Sequence, residues 1–201
     1  MDGLLEKGTY MAQQGETGAL IAMDEFVIEK IPTGFKIQSD NVIFGQNGFR
    51  QCAEMFVDDQ WMMHHLHIVV NDKNIELNAT VDNGNVKITQ RQEQTEITKV
   101  IPLQFNRYFF IYNGALVIPL IGFRGFDFTA FEKMQYQLLP AGLAEVMQIR
   151  QTDVSDRLHF SLTIQIGEIT DFIKIQTDRA GKILVYESAL SKLIIKPQLS
   201  C

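Results

Sequence analysis

Residues 158–166 read Leu-His-Phe-Ser-Leu-Thr-Ile-Gln-Ile, and the class of fold follows from this stretch. Every second residue is apolar, and each residue between is polar. Successive side chains of a β-strand point to opposite faces, so the pattern predicts a strand with one buried and one solvated face. Residues 75–81, Ile-Glu-Leu-Asn-Ala-Thr-Val, show the same alternation.

Clusters of Gly, Asn, Asp and Pro separate the alternating runs. Gly and Asn tolerate the positive φ angles that tight hairpins require. The clusters lie at residues 15–18, 32–34, 45–48, 71–74, 82–85 and 178–181. Short strands between regularly spaced turns indicate an all-β fold, as an antiparallel meander, barrel or sandwich.

Residues 102–123 depart from this alternation because they are apolar on nearly every side. An element of this kind is usually buried all round. We expect a helix around residues 106–120 that packs against the concave face of the sheet. A buried strand pair turning at Asn113-Gly114 is the competing interpretation. The predicted fold is a strongly curved antiparallel sheet, a β-roll or open barrel, with one apolar helix.

The length of 201 residues predicts a single β-roll domain covering residues 1–201. Two similar halves, about 1–101 and 102–201, are also suggested by an internal repeat at a constant offset. The matching pairs are Leu66 with Leu162, Leu77 with Ile173 and Asp82 with Asp178. Because any two meanders share alternation, true duplication and simple similarity both stay open.

Composition excludes several classes of function. The net charge of −6 argues against nucleic acid as a partner, which requires a basic surface. The longest apolar stretch is broken by Gly and Pro, so no membrane span is predicted. The first residues lack the basic start of a signal peptide, which leads us to expect a cytoplasmic protein. The oligomeric state stays open.

Motifs for catalysis are missing from the sequence. There is no Gly-x-Ser-x-Gly elbow and no His-Glu-x-x-His pair, and no glycine-rich loop has phosphate-binding spacing. We therefore predict no catalytic residues and no cofactor, and a non-enzymatic function is favoured.

Three histidines lie together at His64, His65 and His67. In a strand, His65 and His67 point the same way and could supply two ligands to a metal ion, which needs three or more. The alternative is that both simply face solvent. His64 is expected on the other, apolar face with Leu66, as a core histidine or a polar group in a cavity.

Aromatic and methionine residues are abundant, with 14 Phe and 8 Met. A curved sheet with many apolar inward residues can enclose a lipid-like ligand, although ordinary core packing would need such residues too. The predicted ligand-binding residues are Met62, His64, Phe105, Phe109, Phe110, Phe123 and Phe160.

A family resemblance rests on three features of the sequence. They are Val57-Asp58-Asp59-Gln60-Trp61 before a long strand, the hairpin turn Asp82-Asn83-Gly84, and the closing run at residues 173–185. In this order they resemble the bacterial glycolipid-binding β-roll family, whose architecture is similar to that of periplasmic lipoprotein carriers. The resemblance implies a β-roll and a lipid-like ligand.

The leading prediction is therefore non-enzymatic binding of a hydrophobic or lipid-like molecule between the sheet and the helix. A metal-binding protein or metal-dependent enzyme that uses His65 and His67 is the first alternative. The second is a structural or interaction module that associates through exposed sheet edges without a ligand.

Overall fold

A computed structural model describes residues 3–46, 48–103, 108–112, 132–139, 143–156, 159–166, 169–178, 182–189 and 192–198. The first eight strands are β1 (Gly3–Gln14), β2 (Leu20–Ile31), β3 (Gly34–Ile43), β4 (Phe49–Val57), β5 (Met63–Val70), β6 (Ile75–Asp82), β7 (Asn85–Gln92) and β8 (Thr95–Pro102). The remaining strands are β9 (Tyr108–Tyr112), β10 (Glu132–Leu139), β11 (Leu143–Asp156), β12 (His159–Ile166), β13 (Ile169–Thr177), β14 (Ile183–Ser188) and β15 (Leu193–Pro197).

The described strands form one 15-stranded sheet. Their order is β8-β7-β6-β5-β4-β3-β2-β1-β15-β14-β13-β12-β11-β10-β9, so β8 and β9 lie at its two ends. Every neighbouring pair is antiparallel except β9 and β10, which run parallel. The prediction of an all-β protein built on a large antiparallel sheet is confirmed.

Turn chemistry explains where the strands end. Between Asp82 and Asn85, a two-residue loop is formed by Asn83 and Gly84, at φ values of 47° and 73°. Two successive positive φ angles match the right-handed twist of the strands that the loop joins. Between β5 and β6, a 3₁₀ turn at Asn71–Lys73 ends on Asn74 at φ 49°. Both turns lie at Asn-rich clusters in the sequence.

The alternating apolar residues share one face of the sheet, called here the inner face. Directly opposed residues of an antiparallel pair point to the same side. Ile28 lies opposite Ile37, which lies opposite Met55, which lies opposite Leu66. The largest fully buried side chains are Ile28, Ile37, Leu66, Ile68, Leu77 and Ile175. The core therefore lies on the inner face, as the alternation predicts.

The predicted helix is wrong where the structure can be compared with it. Tyr108–Tyr112 forms the end strand β9 and pairs with β10. The described residues contain a 3₁₀ turn and no α-helix. Aromatic and β-branched residues favour strands, and periodicity cannot separate a short strand that is apolar on both faces from a helix. The other residues of the predicted helix lie outside the described residues.

Strands β1–β8 form a first meander and β10–β15 a second, and the two meet where β1 pairs with β15 in the middle of the described sheet. Residues of the repeat fall on β5 and β6 in the first meander and on β12 and β13 in the second. Tyr10 on β1 donates a hydrogen bond of 2.9 Å from its hydroxyl to the carbonyl oxygen of Ile183. The described strands therefore share one sheet, while duplication stays a prediction. Within the described ranges, no helix has the length and apolar character needed to cross a membrane.

Candidate functional site

Two of the predicted ligand-binding residues lie where β4 connects to β5: Met62 ends the turn, and His64 is the second residue of β5. The Asp58 carboxylate accepts hydrogen bonds from the backbone N–H groups of Gln60, at 2.8 Å, and Met62, at 2.9 Å. His64 Nε2 lies 3.4 Å from Asp58 Oδ2. A cap of this kind fixes the turn without help from any ligand.

His64 was expected on the apolar face, but the structure places it on the other face. A bulge between Phe56 and Val57 shifts the register, so that Met63 lies opposite Val57 and His65 opposite Phe56. Met63 is buried, whereas the His64 side chain is 56% exposed. One extra residue in a strand exchanges the two faces beyond it, and alternation in the sequence cannot reveal such a bulge.

Trp61 packs over the end of β3 from the same turn. Its ring stacks on Phe35 with centroids 4.4 Å apart and planes 8° apart. Lys30 Nζ lies 4.3 Å from the centre of the Phe35 ring and also pairs with Asp59. Trp61 has a φ of 64°, a conformation that L-residues rarely adopt. The turn therefore closes this end of the sheet.

The predicted aromatic residues lie on several strands. Phe109 and Phe110 belong to β9, and Phe160 lies on β12 opposite Ile175 of β13. Phe105 and Phe123 lie outside the described residues. The role of this set in ligand binding stays a prediction.

The two predicted metal ligands, His65 and His67, both engage β6. His65 Nδ1 lies 3.2 Å from Thr80 Oγ1, and His67 Nε2 lies 3.2 Å from Glu76 Oε1. Burial, followed by the charge of His67, lowers the pKa of His65. Among the described side chains, no group of three or more His, Cys, Asp or Glu is arranged to hold a metal ion. A metal site at these histidines stays a prediction.

A cleft of about 790 Å³ opens where β1, β2 and β3 pass the chain end after β15. Its lining residues are Lys7, Gly8, Thr9, Glu25, Phe26, Val27, Gln38, Ser39, Asp40, Lys182, Pro197 and Gln198. Gly8, Phe26 and Ser39 lie opposite one another in a cross-strand row on the inner face. The cleft therefore reaches the face that carries the core.

Gly8 shapes this cleft by lacking a side chain. A Cβ atom there would lie 3.2 Å from Cε1 and Cζ of Phe26, closer than ordinary packing allows. The Phe26 ring is stacked on Tyr10, with centroids 5.2 Å apart and planes 14° apart. Gly8 thus leaves room for the Phe26 ring in the floor of the cleft.

Charged groups of both signs surround the opening. Arg50 Nε donates to Asp40 Oδ1 at 2.8 Å, and this hydrogen bond lowers the pKa of Asp40. Lys182 Nζ lies 2.9 Å from Glu6 Oε1. Two of the cationic charges near the cleft are therefore already paired. The cleft combines an apolar floor with a mixed-charge rim, which suits an amphipathic molecule.

A buried polar row crosses the inner face beside the cleft. Tyr10, Asp24, Asn41 and Gln51 lie opposite one another on β1, β2, β3 and β4. Asp24 and Asn41 are 0% exposed, and Gln51 is 2% exposed. Sequence reasoning missed this row, although its signal was available. Asp24, Asn41 and Gln51 each occupy a position where the alternation of their strand calls for an apolar residue. Asp24, for example, lies between Ala22 and Phe26 on the same face of β2.

The fold and the cleft together define an all-β protein with one large sheet and a cleft that opens onto its inner face. A solved DUF1089 family protein from Pseudomonas aeruginosa is similar to it, with a TM-score of 0.51 and 11% identity. That likeness covers 81% of this chain and 88% of the other. A beta-barrel-like protein of domain of unknown function DUF1849 from Brucella abortus has a TM-score of 0.53 and 11% identity. This second likeness covers 96% of this chain and 94% of the Brucella abortus protein.

At 11% identity, these likenesses show the fold alone. The likeness to a beta-barrel-like protein is compatible with the predicted β-roll architecture. Neither neighbour is described as glycolipid-binding. No family model matches the chain, and no curated protein matches it in sequence.

Proposed function

We propose that this protein binds a hydrophobic or lipid-like molecule without changing it chemically. The observation that carries the proposal is the cleft of about 790 Å³ that reaches the inner face at Gly8, Phe26 and Ser39. Small-molecule sites commonly have volumes of roughly 300–1,000 Å³ and an apolar lining with a few polar groups. The size of this cleft is of that kind, and its apolar residues lie among a larger number of polar and charged ones.

The two parts of an amphipathic ligand have separate places in the cleft. Phe26 and Pro197 offer apolar contact for a hydrocarbon chain on the inner face, and burial of each CH₂ contributes about 0.8 kcal/mol. Lys7 and Asp40 lie at the polar wall. A glycolipid, the ligand class implied by the sequence resemblance, has these two parts.

Binding is tested with 1-monodecanoylglycerol and delipidated protein, by calorimetric titration and native mass spectrometry. Ser39→Leu places a larger side chain on the inner wall of the cleft, so we expect affinity to fall at least about tenfold. Thr170→Leu makes a similar exchange at an exposed position of β13 and should leave affinity unchanged.

Two results would overturn the proposal. One is wild-type protein that binds no monodecanoylglycerol and carries no copurified lipid. The other is an equal affinity of the wild type and Ser39→Leu, with both proteins folded by circular dichroism. The second result would mean that the ligand does not enter this cleft.

A further inference from the structure

The buried polar row lies next to the cleft on the same face of the sheet. Phe26 and Ser39 line the cleft, and the next inner-face residues along β2 and β3 are Asp24 and Asn41. Two residues of a strand span roughly 6.5–7 Å. A molecule in the cleft is therefore about one side-chain row from these polar groups.

The two carboxamides of the row, Asn41 and Gln51, each have one atom with unused hydrogen-bonding capacity. Gln51 Nε2 donates to Asn41 Oδ1 at 3.4 Å. Within the described structure, the donor Asn41 Nδ2 and the acceptor Gln51 Oε1 make no hydrogen bond, although both side chains are at least 98% buried. Buried polar groups are nearly always paired, because leaving one unpaired is costly. Here an unused donor lies beside an unused acceptor.

The row carries no cationic side chain. Its members are a phenol, a carboxyl and two carboxamides, from Tyr10, Asp24, Asn41 and Gln51. Lys182, at the cleft, already pairs with Glu6. A phosphate or carboxylate that reached the row would lose its hydration without gaining a counter-ion, which is strongly unfavourable. An uncharged group meets no such penalty.

We infer that the Asn41–Gln51 pair is a subsite for an uncharged hydroxyl group, and that it selects hydroxyl-bearing lipids over anionic ones. The hydroxyl oxygen accepts a hydrogen bond from Asn41 Nδ2, and its O–H donates to Gln51 Oε1. One hydroxyl therefore satisfies both unused atoms. The inference rests on the proposed lipid-binding function and adds the chemistry of the polar end of the ligand.

The selectivity is measured with two probes of equal chain length, 1-monodecanoylglycerol and decyl phosphate, by calorimetric titration. We expect the wild type to bind monodecanoylglycerol about tenfold more tightly, because two hydrogen bonds form only with the hydroxyl. The double variant Asn41→Leu/Gln51→Met replaces both partners with apolar groups of similar size, so the fold should be retained. Its preference should fall to about threefold or less.

Two further variants keep the test interpretable. Asn41→Asp retains the shape of the side chain but exchanges the Nδ2 donor for an oxygen, so it should lose the same preference even if the double variant does not fold. Asn78→Leu alters an amide on the opposite face of β6, where Asn78 lies opposite His67, and should keep the full preference.

The outcomes separate this inference from the proposed function. Equal binding of both probes by the wild type, or a preference that survives in the double variant and in Asn41→Asp, overturns the subsite alone. Failure of both probes to bind the wild type overturns the subsite and the lipid-binding proposal together. A crystal structure of the monodecanoylglycerol complex with an ordered water between Asn41 and Gln51 would also overturn the subsite.

Discussion

Among the glycines that the structure describes, Gly34 is the one where an added Cβ atom would come closest to the backbone. Its φ is 138°, and a Cβ atom would lie 2.6 Å from the Asp58 Cα atom and would also meet the carbonyl oxygen of Val57. We expect Gly34→Ala to lower the free energy of unfolding by more than about 2 kcal/mol, because the obstructing atoms belong to the backbone. Urea denaturation followed by Trp61 fluorescence measures this.

Gly84→Ala provides the matched control for Gly34→Ala. Gly84 also has a positive φ, of 73°, but a Cβ atom there meets nothing within 4 Å. Conformational strain alone should cost about 1–2 kcal/mol. Equal losses in the two variants would show that the approach of Asp58 to Gly34 is not the cause.

Asp40 and Arg50 provide a pH-dependent contribution to stability. The hydrogen bond from Arg50 lowers the pKa of Asp40 in the folded protein. A lowered carboxyl pKa stabilises the fold above the pKa of the unfolded chain, and this stabilisation is lost as pH falls through the folded-state pKa. We expect Asp40→Asn to lower stability at pH 7 by up to about 1 kcal/mol, as for other exposed pairs.

The difference between wild type and Asp40→Asn should therefore shrink as the pH falls below the ordinary carboxyl pKa of about 3.9 and through the lower pKa of Asp40 in the folded protein. It should also shrink at 1 M salt, because salt screens exposed charges. Thermal denaturation at several pH values measures both trends. A difference that is constant from pH 7 to pH 2 would contradict the assigned ion pair.

Single residues also show where sequence reasoning fails. The positions of Leu66 and Ile68 on the inner face follow from alternation, and the structure agrees. The position of His64 does not follow, because the bulge at Phe56 and Val57 leaves no mark in the apolar pattern. Asn41 and Gln51 could have been identified as polar residues in an apolar phase. Their mutual hydrogen bond depends on strand register, which alternation alone does not determine.

Strand β8 lies at one end of the described sheet and exposes apolar side chains. It pairs only with β7 in the described sheet, and Ile97 and Val100 on it are 54% and 62% exposed. Exposed edge strands tend to pair with other chains. We expect concentration-dependent self-association, measured by light scattering after size-exclusion chromatography, and a reduction of it in Ile97→Lys/Val100→Lys. This tests the interpretation as an interaction module.

Phe172→Lys is the control for the edge of the sheet. Phe172 is 62% exposed and lies on β13, away from β8 in the sheet order. Association that disappears in Phe172→Lys and persists in the β8 variant would place the contact on another surface. A wild type that stays monomeric at all concentrations would remove the edge interaction.

Elements differ in how far the sequence predicts them. Strands with one wet face, such as β6 and β12, are identified by alternation, and their turns by Asn and Gly. The segment around β9 was expected to be a helix because Tyr-Phe-Phe-Ile-Tyr contains no polar residues, whose spacing would distinguish a strand from a helix. Length and aromatic content favour a strand there, and parallel pairing with β10 could not have been read from local sequence.

At the scale of the molecule, the sheet order itself was beyond sequence reasoning. Sequential antiparallel pairing explains β1 to β8 and β10 to β15, because neighbours in the chain pair with each other. The pairing of β1 with β15 joins residues near opposite ends of the chain, such as Ala12 and Ile195. No local pattern specifies a contact of that separation, so the single sheet emerges only from the structure.

The β1–β15 pair makes cooperative unfolding of the two meanders the expected behaviour. Tyr10 bonds to Ile183 and Glu6 to Lys182 across this junction, and Ile195 is buried opposite Ala12. Native Trp61 reports on the first meander. Trp61→Phe/Phe172→Trp places the only tryptophan in the second, at a position exposed enough to accept it.

We expect the fluorescence midpoint of each protein to equal its own circular-dichroism midpoint in urea, because neither meander can unfold alone without exposing the inner face at the junction. Ile195→Ala, introduced into each protein, should lower the free energy of unfolding by about 2–5 kcal/mol, as expected for a buried isoleucine. The urea midpoint should fall by the same amount in both proteins. Leu20→Ala, at an exposed position, should change neither. Separate midpoints, or an Ile195→Ala effect confined to the second meander, would mean that the sheet contains two units that unfold independently.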